Sequence, residues 1–159
     1  MLVRESTDHS SPMALERYPV GFRTPLLTTA AGRVYLANTR PPQSDTLIDI
    51  LARSTKEVDR PAHARAELLR ALAEIKATGY TTSNRTHRLV DEISLSVPVL
   101  LYDRALASLT VRFAASVVPL KSGVERFLPK LRQCAAKISA AFSEQQAAAR
   151  TKAVPAPAS

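Results

Sequence analysis

Two short runs carry side chains that could do chemistry together. In Ile93 to Val99, Ser94 and Ser96 alternate with Ile93, Leu95, Val97 and Val99; in Leu106 to Phe113, Ser108, Thr110 and Arg112 alternate with Ala107, Leu109, Val111 and Phe113. Successive side chains of a strand point to opposite faces, so each run separates hydroxyls from aliphatics. The link from Leu100 to Ala105 is short enough for a hairpin, which would lay the two polar faces side by side. Hydroxyls donate single hydrogen bonds, and the planar fork of an arginine engages both oxygens of a carboxylate at once. That surface suits a small carboxylate. The same pattern describes an antiparallel sheet with one face in solvent, and these residues alone leave both readings open.

Catalysis finds less support. Asp91-Glu92 is a lone carboxylate pair, and His9, His63 and His87 form neither a metal-binding spacing nor a nucleophile system. No enzyme, metal or cofactor is expected.

The polar runs need a partner element, and Arg23 to Ala37 offers one. Pro25 disfavours helical geometry at Thr24, and Thr28 or Thr29 can accept a hydrogen bond from the first free amides of a helix that starts with Ala30, Ala31 and Gly32. Almost no side chain stands in that first turn, so a ligand or a strand can approach backbone amides that favour an anion. A tight helix-on-sheet contact and one wall of a pocket are both compatible with it.

The remaining elements follow from periodicity. Leu2 to Thr7 and Leu15 to Arg23 read as short extended pieces that could pair, separated by the turn cluster Asp8 to Pro12. The helix from Ala30 should end near Asn38, before Arg40-Pro41-Pro42. Leu47, Ile48 and Leu51 after Ser44-Asp45 predict a short capped helix. Asp59-Arg60-Pro61 opens a longer one, with Leu68, Leu69, Leu72 and Ile75 on its inner face, closed by Gly79 and feeding a strand at Tyr80-Thr81-Thr82. The last third is helical from Pro119. Leu120, Val124, Phe127, Leu128, Leu131, Cys134 or Ala135, Ile138 and Phe142 stay in register, Cys134 is expected to be buried, and Pro129 is expected to kink or break the helix. Residues 1–146 thus form one domain, and residues 147–159 read as a disordered tail.

Composition bounds the partners. The chain has 159 residues, 45% of them hydrophobic, enough for one core, and a net charge of +8 whose basic residues are dispersed rather than clustered. A weak nucleic-acid binder is therefore an alternative rather than the first reading. One cysteine excludes an internal disulfide framework, and no apolar run reaches membrane-spanning length. A cytoplasmic protein is expected.

Taken in order, Gly21-Phe22-Arg23-Thr24-Pro25-Leu26-Leu27-Thr28-Thr29-Ala30-Ala31-Gly32-Arg33, Leu72-Ala73-Glu74-Ile75-Lys76-Ala77-Thr78-Gly79-Tyr80, Ser94-Leu95-Ser96-Val97-Pro98-Val99 and Ala136-Lys137-Ile138-Ser139-Ala140-Ala141 resemble the C-terminal effector-binding domain of the IclR family of bacterial transcriptional regulators. The resemblance covers about Leu2 to Phe142. It implies an α/β (α+β) fold, a GAF-like domain with a curved antiparallel sheet flanked by helices. It also implies a homodimer or tetramer, and a small effector bound on one face of the sheet.

The family's winged helix-turn-helix is not expected here, since nothing before Leu15 could make three helices. DNA would be reached only through that missing half, and the chain would be either a fragment or a free-standing sensor. Carried over position by position, the effector pocket falls on Ala30 and Ala31 at the helix start, Ser83 after the Gly-Tyr junction, Ser94 on the next strand, and Thr110 and Arg112 on the last. Where the family more often has a small hydroxyl residue, Arg112 suits a carboxylate effector. Arg4-Glu5-Ser6-Thr7 and the Gly21 to Ala30 stretch are similar to the branch that controls aromatic-acid catabolism, so a benzoate or hydroxyphenylpropionate relative is expected, lying between the helix start and Ser94, Thr110 and Arg112. A dimerisation module without any small-molecule ligand is the alternative.

Overall fold

The computed structural model describes residues 1–11, 17–85 and 92–153. Expectations resting on His87, Asp91, the start of the Leu15 to Arg23 piece or the last residues of the tail lie outside them. The first helix, α1 (Ala30–Ala37), starts as the sequence predicts. Thr29 is extended and its Oγ1 accepts the Gly32 N–H at 3.1 Å, while Asn38 closes the other end by donating its side-chain amide to Val34 O.

The next two helices begin elsewhere than expected. Helix α2 (Pro41–Ala52) takes its two prolines into the first turn, where their missing N–H groups cost nothing, so Ser44 lies inside the helix and its hydroxyl returns to Pro41 O. Asp59, Arg60 and Pro61 do not open the long helix. They belong to a 3-10 segment, Glu57–His63, and α3 (Arg65–Thr78) starts only after Ala64 breaks the helical geometry. Arg65 then ties α3 to α2 through Asp45 and Asp49, both at 2.7 Å. Gly79 closes α3 at φ 73°, a left-handed conformation that a side chain would strain.

Three antiparallel strands follow in the order β1 (Thr81–Arg85), β2 (Glu92–Leu101) and β3 (Arg104–Ala114), with Tyr102 and Asp103 forming the turn of the β2–β3 hairpin. Helix α4 (Leu120–Ala153) follows as one continuous helix, with Pro129 inside it. The expected break does not occur. Proline removes one ladder bond, and the helix continues past it with Leu128, Leu131, Ala135 and Ile138 packed on the sheet. Helical structure also runs through residues 147–153, a stretch whose alanines favour it.

The layers are set by the two faces of the sheet. Val97, Val99, Ala107 and Leu109 pack against α4 through Leu128, Leu131, Ala135 and Ile138. On the opposite side α1 lies across all three strands. Its outer side joins Val34, Leu36 and Ala37 to Ile48 of α2 and to Leu68, Leu72 and Ile75 of α3 in a second core. Cys134 is exposed rather than buried, because Ala135, one residue on, takes the inward position. No helix among the described residues is long and apolar enough to cross a membrane.

Among the described residues, the backbone of the N-terminal segment pairs with its return leg rather than with the sheet. The expected strand over Leu2 to Thr7 reduces to one bridge, Leu2 with Arg23, flanked by Val3 N–H to Phe22 O at 3.0 Å and Gly21 N–H to Val3 O at 2.8 Å. A 3-10 turn at Asp8–Ser10 follows, with no buried residue.

Candidate functional site

Pairing across the sheet sets Ser83, Ser94 and Arg112 in one row, one from each strand, and Thr81, Ser96 and Thr110 in the next. The hydroxyl face foreseen from the alternation of β2 and β3 therefore exists. Helix α1 covers part of it: Ser96 is 0% exposed, Ser94 and Ser108 are half-buried, and Thr110 remains exposed. The Ser96 hydroxyl shares a hydrogen bond with Thr110 Oγ1 at 2.8 Å, which satisfies a polar group that would otherwise be costly to bury.

The small residues at the start of α1 let the backbone come down onto this face. Ala30 N–H donates to Ser83 Oγ at 3.0 Å, and Ser108 Oγ donates to Ala31 O at 2.7 Å. Ala30 is completely buried, and a Cβ at Gly32 would overlap the backbone carbonyl of Leu26. Of the six positions singled out in the sequence, Ala30 and Ser83 meet directly, Ala31 meets the neighbouring Ser108, Ser94 lies beside Ser83 and Arg112, and Thr110 is engaged by Ser96. At Ala30 and Ala31 the helix start and the sheet are in direct hydrogen-bond contact.

Arg33, one residue past that turn, reaches back to Thr82 O. Its Nε is buried without a hydrogen-bond partner, and burial lowers the guanidinium's affinity for its proton below the usual arginine value.

Arg112 stands at the other end of the row, with its side chain 17% exposed. Nη2 donates to Asp8 Oδ2 at 2.6 Å, Nη1 donates to Glu92 Oε2 at 3.0 Å, and the guanidinium carbon lies 4.2 Å from the centre of the Tyr18 ring. Asp8 Oδ2 also accepts the Tyr18 backbone N–H at 3.0 Å. Burial of the Asp8 carboxyl is the largest single influence on its proton affinity and raises it. The Tyr18 N–H, the Arg112 guanidinium and the Ser6 hydroxyl together outweigh that influence, so Asp8 titrates below the ordinary carboxylate range.

Sequence reasoning identified Arg112 and missed all three of its neighbours. Glu92 was legible: it has the same parity as Ser94 and Ser96, so it shares their face once the strand is extended by one residue. Asp8 and Tyr18 were not, since Asp8 is 104 residues from Arg112 and no local periodicity links them.

An open cleft of about 880 Å³ lies beside the row, lined among others by Pro25, Thr28, Thr29, Arg60, His63 and Asn84. It contains none of the six positions. Its rim at Thr29 and Asn84 is the chain neighbour of the Ala30–Ser83 contact.

The family model described as bacterial transcriptional regulator IclR C-terminal matches residues 4–140. Among solved structures, a transcriptional regulator from Rhodococcus sp. RHA1 is similar with a TM-score of 0.66 and 21% identity over 85% of this chain, which spans 53% of that one, about half its length. A double mutant of the inducer-binding domain of the PobR transcription factor from Acinetobacter, in complex with 3-hydroxybenzoic acid, aligns with a TM-score of 0.61 and 24% identity over 81% of this chain and 75% of that one. The C-terminal domain of the E. coli transcriptional regulator KdgR gives 0.61 and 22% over 78% and 74%. With residues 4–140 covered by the family's own model and the same mixed α/β fold in these regulators, the chain belongs to the IclR family of bacterial transcriptional regulators, as its C-terminal domain.

Proposed function

We propose that this domain senses a small aromatic carboxylate for a transcriptional regulator, and that occupancy alters DNA binding by a separate winged helix-turn-helix. The observation that carries the reading is the row Ser83–Ser94–Arg112: two hydroxyls and a largely buried guanidinium on one sheet face, with the Tyr18 ring stacked on that guanidinium. A carboxylate would take the fork of Arg112, and an aromatic ring would lie over Ser94 and Thr110 between Tyr18 and the start of α1 at Ala30 and Ala31. The 3-hydroxybenzoic acid complex of the PobR domain, a similar fold, supports the same chemical class. Homodimers or tetramers and a cytoplasmic location belong to this reading.

Isothermal calorimetry with 3-hydroxybenzoate tests it. Saturable binding that Arg112→Met removes is the expected result, and heat of dilution alone across benzoates and phenylpropionates would sink it.

A second reading draws on a different observation. The direct bonds Ala30–Ser83 and Ala31–Ser108 tie the helix start to the sheet, which favours a rigid face that takes no ligand there, in a module that would serve subunit assembly. That reading expects a stable oligomer whose Tm no small acid moves.

A further inference from the structure

The fork of Arg112 already carries two carboxylates, one on each terminal nitrogen: Asp8 at 2.6 Å and Glu92 at 3.0 Å. Among the described residues, these two carboxylates and the guanidinium sum to a charge of −1. Adding a third carboxylate would raise this to −2 in a place where the three side chains are only 10% to 22% exposed, and such unbalanced charge is expensive away from water. A carboxylate ligand therefore has to exchange with one of the two rather than join them.

The two are not equally easy to displace. Glu92 belongs to the central strand, its backbone paired with Arg85 on one side and Ala114 on the other, and its side chain is 10% exposed. Asp8 lies in a 3-10 turn with no buried residue, in a segment whose backbone bonds from Met1, Val3 and Gly21 stay within the segment or its return leg near Phe22 and Thr24. Leu2, Val20 and Phe22 are exposed, so these three side chains add little burial that would oppose movement of Asp8.

We propose that Asp8 is an internal competitor for the ligand carboxylate, occupying on Arg112 the place that the ligand takes and thereby setting the affinity of the site. The proposal rests on the reading of Arg112 as the carboxylate receiver. Asp8 is tethered, so it competes at a fixed effective concentration, and the apparent affinity of the free ligand is reduced by the fraction of time Asp8 holds the fork. Binding exchanges one carboxylate for another and withdraws Asp8 Oδ2 from the Tyr18 N–H.

The test is calorimetry of the full chain with sodium 3-hydroxybenzoate, combined with hydrogen exchange at the Tyr18 amide. Asp8→Asn is expected to tighten binding by about 10-fold, equivalent to about 1.4 kcal/mol. Asp8→Glu, which keeps the carboxylate, should stay near the unaltered chain, and Glu5→Gln, which neutralises an exposed acid nearby, should change nothing. Adding the probe to the unaltered chain should speed exchange at Tyr18. The competitor is overturned, with Arg112 still the receiver, if Asp8→Asn and a second variant, Asp8→Ser, both bind as the unaltered chain does while Arg112→Met loses binding. It is overturned equally if Glu5→Gln tightens binding as much as Asp8→Asn, for then the effect is one of overall charge. Absence of binding in every form, Asp8→Asn included, removes the receiver and the competitor together.

Discussion

The backbone N–H of Ala30, the first residue of α1, donates to the side-chain oxygen of Ser83 on β1 at 3.0 Å. A helix start and an edge strand are thereby joined by a serine that offers an oxygen to one of the four amides a helix leaves unpaired at its N-terminus. Ser83→Ala removes that acceptor and should cost about 1 kcal/mol, a fall of about 3 °C in Tm for a domain of this size. Hydrogen exchange at Ala30 should rise with it, and an unchanged Ala30 amide would show that the bond contributes nothing.

Gly32 allows α1 to approach the preceding loop. A Cβ there would collide with the backbone of Leu26, which has no flexible end to yield. Gly32→Ala should destabilise the domain by about 1–3 kcal/mol despite alanine's better helix propensity, read as a lower midpoint in urea. A rise in the midpoint would mean that the loop adjusts freely.

Ser96 and Thr110 form a hydroxyl pair in which one partner is fully buried. Thr110→Val leaves the Ser96 hydroxyl without that partner and should cost about 1–3 kcal/mol, whereas Ser96→Ala combined with Thr110→Val should cost less than the sum of the single changes. Additive losses in a double-mutant cycle would show the pair to be uncoupled.

Acid should loosen the N-terminal segment. Asp8 is depressed in the folded state, so the stability it contributes is complete above the unfolded carboxylate pKa and is lost as the pH falls through the lower folded value. The difference in Tm between the unaltered chain and Asp8→Asn should therefore shrink towards zero as the pH drops below about 4. In Arg112→Met the Asp8 carboxyl, followed by carbon NMR, should titrate at higher pH, because its burial persists while the compensating cation is gone.

Cys134 lies on the outer side of α4. A thiol reagent should label it fully under native conditions without denaturant, whereas a thiol packed against the sheet would react only after unfolding.

Much of this fold is written locally. Alternation in β2 and β3, the threonine cap and small first turn of α1, and the glycine that ends α3 each depend on neighbours a few residues away, and each stands where the sequence places it. The starts of α2 and α3 were less legible, because a proline fits the first turn of an α-helix and a 3-10 segment alike, and only the neighbouring geometry distinguishes them.

By itself the sequence determined that β2 and β3 present hydroxyls and Arg112 on one face and aliphatics on the other, since a period of two needs nothing beyond the strand. Tertiary structure decided what meets that face. Covering part of it with α1, turning Ala135 inward and Cys134 outward, and bringing Asp8 across 104 residues to the guanidinium of Arg112 are outcomes of packing between distant segments. Their energies depend on which surfaces exclude water from one another, and no window of local sequence contains that information.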